Sequence, residues 1–243
     1  MNGDKDKTDA LIAGLEHPHK PKIRAAVDAL ITSALDDRDL RAALEQSLGT
    51  AGHKNPWAFA YVLGHLPQPS GATIQALIAA LDHNEPDIRW AVALLLMRLA
   101  DAESSVINSL VELSGSGTAN QKRMALYCLR DLQLQDAAIL EALLAASRDS
   151  EPTVRVAAVT SLKTRDGAGA GVRNRLLELF LTDQDVRVCN AAAITLAQLG
   201  SPSKSFVRAL RAAAAESDNA RLKKAALAAL SLLEIERPAS SDG

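Results

Sequence analysis

The chain has 243 residues, 48% apolar but only 3% aromatic, with a formal charge of −2 and a pI near 6.2. Its core must come from Ala, Leu, Val and Ile, which favours closely packed helices over sheets. The charge balance lacks the basic excess of a nucleic-acid binder, and no apolar run approaches the ~18 residues of a bilayer span.

The opening MNGDKDKTDA is charged and lacks the apolar centre of a signal peptide. Residues 1–7 read as a frayed end. From Leu11 an apolar column recurs every 33 positions: Leu44, Leu77, Leu110, Leu143, Leu176, then Ala209. A second column is Leu30, Leu63, Leu96, Leu129 and Leu162, and its register blurs at Thr195. Between them run Ala26, Phe59, Val92, Ala125, Ala158, Ala191 and Lys224. Such self-similarity marks a repeat architecture. The repeats span roughly 8–36, 37–69, 70–102, 103–134, 135–167, 168–201 and 202–236.

Each repeat carries two helical patterns, seen best in the third. Helix A is predicted over about 72–81, with Ile74, Leu77, Ile78 and Leu81 at i, i+3, i+4, i+7. Helix B is predicted over about 86–99. Pro86 suits the first helical position, where no amide donor is needed, and Pro152 does likewise. Neither helix is long enough to be stable alone, so the pairs must stack. The loops carry PQPSG, SGSGTAN, DGAGAG and GSPS, and Asp36–Asp37 reads as a helix end. The last residues, 237–243, read as a second frayed end.

A cation column opens helix B: Arg89, Arg155, Arg187 and Arg221, with Lys122 or Arg123 in repeat four. A cation in a helix's first turn opposes the macrodipole. The expectation is an ion-pair ladder to the loop acids Asp82, Asp149 and Asp183; the competing reading is a row of phosphate sites. Trp57, Tyr61, Trp90 and Tyr127 fall in two columns beside the core stripe of helix B. Near them lie His65, Met97, Arg98, Arg123, Arg130 and Asp131. Aromatics beside Arg and Met make interface anchors, while the alternative is packing between repeats.

His17, His19, His53 and His83 all lie in loops of the first three repeats, near Glu16, Asp82 and Glu85. That places imidazoles within reach of one another, although solvated polar loops need no metal, and none is expected. Cys128 and Cys189 form no CxxC and read as buried small hydrophobes. There is no GxSxG, and the glycine-rich stretches follow helices, where they make poor phosphate loops. No catalytic residue and no cofactor is expected.

The stretches DHNEPDIRWAVALLL (82–96), DSEPTVRVAAVTSL (149–162) and TDQDVRVCNAAAITLAQLG (182–200) share acidic loop residues, Ile/Val-Arg and small apolar residues. In this they resemble HEAT-like repeats. Repeat one matches more loosely through Ile23, Arg24, Ala25, Ala26 and Val27. The resemblance implies an all-α, right-handed α-solenoid of about seven stacked hairpins, forming one repeat domain over 8–236. It implies that helix B lines a concave groove, centred on repeats two to four. Metal-dependent hydroxylases built on such repeats use His-Glu pairs, and this chain has no His-Glu dipeptide.

The expected function is a non-enzymatic interaction scaffold, cytoplasmic and without membrane contact, of undetermined oligomeric state. Another protein or peptide would bind through Tyr61, His65, Trp90, Met97, Arg98, Tyr127, Arg130 and Asp131. Two alternatives follow from the same resemblance. One is nucleic-acid binding like that of HEAT-like DNA-alkylation glycosylases, which the slight acidity disfavours. The other is an accessory role like that of the HEAT-like bilin lyases, whose Asp then Val-Arg loops are close in style to 149–155.

Overall fold

The computed structural model describes residues 2–50, 52–164, 169–200 and 203–235. The tail 237–243 and the first half of DGAGAG, residues 166–168, lie outside the described residues. Among those described there are fourteen α-helices, one short 3-10 turn and no strand. The fold is an all-α helical-hairpin solenoid. The hairpins are α1 (Asn2–Leu15) with α2 (Lys20–Ala34), α3 (Arg38–Leu48) with α4 (Pro56–His65), and α5 (Gly71–Ala80) with α6 (Pro86–Ala100). Then come α7 (Ser104–Ser116) with α8 (Ala119–Asp131), and α9 (Ala137–Ala146) with α10 (Pro152–Ser161). The last are α11 (Ala170–Thr182) with α12 (Val186–Gln198) and α13 (Lys204–Glu216) with α14 (Ala220–Ile235). α1 includes residues 2–7, which the sequence reading assigns to a frayed end.

The chain divides into two compact units, Met1–Asn108 and Ser109–Gly243. In the N-terminal unit α2 packs on α1, α3 and α4, and α4 packs on α3, α5 and α6. In the C-terminal unit α10 packs on α8, α9 and α12, and α12 packs on α11 and α14. Within each unit the second helices of successive hairpins therefore lie in a row.

Local chemistry sets the helix starts. Pro56, Pro86 and Pro152 occupy first-turn positions, where proline's fixed φ fits and its missing N–H is not needed. Ser70, Asp136, Asp185 and Ser203 cap α5, α9, α12 and α13 through side-chain oxygens. Thr118 and Gln121 form a reciprocal capping box on α8. Asp37 caps the start of α3, accepting from the amides of Asp39 and Leu40 at 3.0 and 2.9 Å. It thus opens the next helix, where the sequence reading had it closing the previous one. Gly200, at φ 64°, follows α12 in the left-handed conformation that glycine accepts without strain.

The columns are the core. Leu44, Leu77, Leu110, Leu143 and Leu176 are fully buried, as are Phe59, Val92, Ala125 and Ala158. The register first shifts in repeat six. The buried pair steps from 143 to 158 in repeat five but from 176 to 192 in repeat six, one position further. Thereafter Leu210 is buried in place of Ala209, and Ala225 in place of Lys224. One extra residue between Leu176 and Ala192 accounts for the blur at Thr195. It turns every later side chain about 100° relative to a strict 33-residue count.

Candidate functional site

The A–B loops show a conserved geometry from hairpin to hairpin. At one position the side chain accepts the amide of the residue two further on. His17 Nδ1 takes the His19 N–H at 3.0 Å, and His83 Nδ1 takes the Glu85 N–H at 3.1 Å. Asp149 and Asp183 do the same for Glu151 and Asp185, both at 2.8 Å, and Ser217 Oγ does so for Asn219 at 3.2 Å. In the C-terminal unit the cation at the start of helix B reaches the carboxylate of the following repeat. Lys122 Nζ donates to Asp149 at 2.8 Å, and Arg155 forks onto Asp183 with two bonds of 2.8 Å. Arg155 also donates to the carbonyls of Asp149 and Ser150 in its own loop. The Asp183 bonds hold the Arg155 guanidinium above its usual range. Burial opposes ionisation of Asp149, yet Lys122 and the Glu151 amide keep its pKa below the ordinary value.

Two ladder residues depart from the sequence expectation. Arg89 donates to its own loop carbonyls, His83 O at 2.5 Å and Asn84 O at 3.1 Å. The tie position in that loop is His83, one residue after Asp82. Arg187 pairs with its own N-cap Asp185, at 2.6 Å in the closest contact, and stays 57% exposed. The inserted residue explains this: Cys189 occupies the place held by Arg89 and Arg155, and its thiol donates to the Asp183 carbonyl. The Arg187 bonds pull the Asp185 carboxyl down to about 2.

In the N-terminal unit a cleft of about 240 Å³ opens between α2, α4 and α6. Val27, Ile88 and Ala91 form its apolar wall, and Trp57 and Tyr61 bring the rings. Its rim is charged. Lys20 contacts Glu85 and bonds both Asp87 oxygens at 3.0 Å, while Arg24 reaches Asp87 at 3.4 Å. These bridges run from α2 to α6, with α4 between. The Lys20 bond holds the Asp87 carboxyl low. The Trp57 indole lies edge-on to His83 at 5.9 Å, and its buried Nε1 has no hydrogen-bond partner among the described residues.

An adjoining hollow of about 220 Å³ takes in Tyr61, His65, Leu94 and Arg98. His65 Nδ1 donates to the Tyr61 carbonyl at 2.8 Å, and the two rings sit 4.6 Å apart. Burial raises the Tyr61 hydroxyl's pKa and lowers that of His65. Arg98 donates to the Gly64 carbonyl. Trp90 is 41% exposed and Leu94 62%, while Met97 is half-buried on the same helix. In the C-terminal unit Arg130 lies over the Tyr127 ring at 5.1 Å and forks onto Asp131 at 2.6 and 3.0 Å.

The aromatics alone understate this surface. Carried back one repeat, the two aromatic columns read Arg24, Trp57, Trp90 and Asp28, Tyr61, Leu94, Tyr127. The rim residues Arg24 and Asp28 were thus visible in the sequence, once columns rather than residue types are followed. Lys20, Glu85 and Asp87 carry no such mark.

Other candidates read plainly. Burial pushes the Cys128 thiol up to about 12 and raises that of Cys189. Among the described residues no group of three His, Cys, Asp or Glu side chains is placed to hold a metal ion. No described helix is long and apolar enough to cross a membrane. Arg155 and Arg175, which share a hollow of about 300 Å³, are bonded to Asp183 and to Ser147 respectively.

This is a helical-hairpin repeat protein with an open, partly aromatic helix-B surface. Residues 139–231 match the family described as HEAT repeats, a stretch running from α9 into α14. Among solved structures it is similar to a designed armadillo repeat protein in complex with the peptide (KR)4. The two share 16% identity at a TM-score of 0.45, over 92% of this chain and 98% of that one. An engineered protein is similar at 19% identity and TM-score 0.45, over 94% and 98% of the two chains. Human deoxyhypusine hydroxylase in complex with glycerol is similar at 15% identity and TM-score 0.39, over 95% and 97%. A comparison with curated protein sequences returns no match.

Proposed function

We propose that this protein is a non-enzymatic adaptor that binds another protein or peptide through its helix-B surface. The observation that carries the reading is the row on α4 and α6, where half-buried Tyr61 and His65 adjoin Leu94 and Arg98, with the exposed Trp90 one turn before Leu94 on α6. Rings and a guanidinium held at a solvent-open hollow give large contact area at small entropic cost. Met97 extends that row; within the C-terminal unit, Tyr127, Arg130 and Asp131 offer a contact surface of their own. The fold supports the same reading, because hairpin arrays present extended surfaces to partners. We assign the adaptor to the cytoplasm, a reducing compartment that suits its two buried thiols.

The test is affinity purification from the native cell with the wild type, Tyr61→Ala and Tyr127→Ala. Loss of a specific partner from either variant, with an unchanged circular dichroism melt, is the expected result. Capture indifferent to both substitutions would refute this placement.

A further inference from the structure

The cleft between α2, α4 and α6 holds an unusual balance of charge. Its two cations are already answered: Lys20 by Glu85 and Asp87, and Arg24 by Asp87. Asp28 is not. It lines the same cleft one helical turn beyond Arg24, is exposed, and its carboxylate makes no hydrogen bond or ion pair among the described residues. Its charge is felt across the cleft: burial raises the Tyr61 pKa and lowers that of His65, and Asp28 adds to the first and partly offsets the second. The Tyr61 hydroxyl likewise makes no hydrogen bond among the described residues. One uncommitted carboxylate therefore stands beside two ring side chains, over an apolar wall.

We propose that this cleft is a subsite for a basic side chain, an arginine or lysine presented by the partner. The inference rests on the adaptor reading and names the chemistry of what is bound. The methylene shaft of such a side chain suits the wall of Val27, Ile88 and Ala91, because long cationic side chains bury their stems and keep the head polar. The head meets the π faces of Trp57 or Tyr61 and the Asp28 carboxylate together. A guanidinium matches this pair better than an ammonium, since it both stacks and forks. An acidic side chain would meet Asp28 with like charge, and the cations it could pair with, Lys20 and Arg24, already face Asp87. Arg24 is the built-in competitor: it sits four residues before Asp28 on the same helical face and is tied to Asp87 only at 3.4 Å.

The experiment titrates the full chain with three blocked pentapeptides, Gly-Gly-Xaa-Gly-Gly with Xaa Arg, Glu or Leu. The readout is the indole N–H resonance of Trp57, assigned by comparison with Trp90→Phe. The Arg peptide is expected to move it saturably at millimolar concentration and more tightly than the other two. Asp28→Asn should weaken that binding by about five-fold, and Arg24→Gln should tighten it. Asp28 and Arg24 are exposed, so both variants are expected to keep the wild-type melt.

Preference for the Glu peptide, equal response to Leu, indifference to Asp28→Asn, or no shift with any peptide would each overturn the proposal. If these fail while Tyr61→Ala still abolishes partner capture, the subsite falls and the adaptor reading stands. If the Arg peptide binds but capture ignores Tyr61 and Tyr127, the reverse holds.

Discussion

Replacing Arg155 by alanine tests the ladder most directly. The guanidinium makes two bonds to Asp183 and two to loop carbonyls, and the paired side chains are only 14% and 5% exposed. Removing it strands a nearly buried carboxylate whose remaining help is the Asp185 amide. Breaking a fully buried pair costs 3–5 kcal/mol, and an exposed pair at most about 1. This one sits at the edge of the fold, so the loss should be about 2–3 kcal/mol. For a chain of this size that is a fall in melting temperature of roughly 4–12 °C, read by far-ultraviolet circular dichroism. Arg187→Ala is the internal control, because that arginine is exposed and its pair is local; it should leave the melt in place. A cycle with Asp183→Ala should show coupling above about 1 kcal/mol. Equal shifts for Arg155→Ala and Arg187→Ala, or none for either, would refute the assignment.

Three further outcomes follow from single contacts. His83 accepts the Glu85 amide through an unprotonated nitrogen, and burial, aided by Lys20 and Arg89, lowers its pKa. A lowered folded pKa means the unfolded chain binds the proton more readily. Stability from this residue is therefore complete above about 6.5 and lost as pH falls below it. Urea midpoints at pH 7 and 5, followed by tryptophan fluorescence, should drop for the wild type and drop less for His83→Asp, which supplies the acceptor found in repeats five and six. Gly14 admits close approach of α1 to α2, since a Cβ there would lie 2.9 Å from that of Ala26. Gly14→Ala should destabilise by about 1–3 kcal/mol from overpacking, outweighing about 1 kcal/mol of helix propensity. Gly64→Ala should cost less in denaturant titration, because its nearest neighbours are the ends of Leu77 and Leu95, which can turn aside.

The period of 33 was legible because each buried leucine repeats against the same neighbours, and the proline starts were legible because proline fixes its own φ. What escaped the sequence was phase. A single inserted residue leaves composition and hydrophobicity intact while moving Cys189 into the position that an unbroken count gives to Val188. Only packing shows which side chain points at the Asp183 carbonyl. Two of the loop histidines, His17 and His83, escaped in a related way. Their residue type suggested metal or idle solvation, whereas their position is that of Asp149 and Asp183, and the backbone amide they accept is invisible to residue type. The rim of the α2–α4–α6 cleft joins residues more than sixty positions apart, a separation no local pattern spans.

The ladder also gives the hairpins a plug and a socket. Repeat five has both: Asp149 receives the cation before it, and Arg155 seeks the acid after it. A duplicate of this hairpin inserted behind the original would find its own Asp149 waiting for Arg155. Repeat four offers a plug, Lys122, but has Ser116 where the socket would be. Repeat six has the socket, Asp183, but a thiol in place of the plug. Repeat six can therefore follow repeat five but cannot serve another socket in turn. Beyond it α13 is met by ring packing instead, Phe180 edge-on to Phe206 at 6.2 Å. The array thus carries in its side chains the rule for how it can grow: by copying its fifth hairpin, and not its sixth.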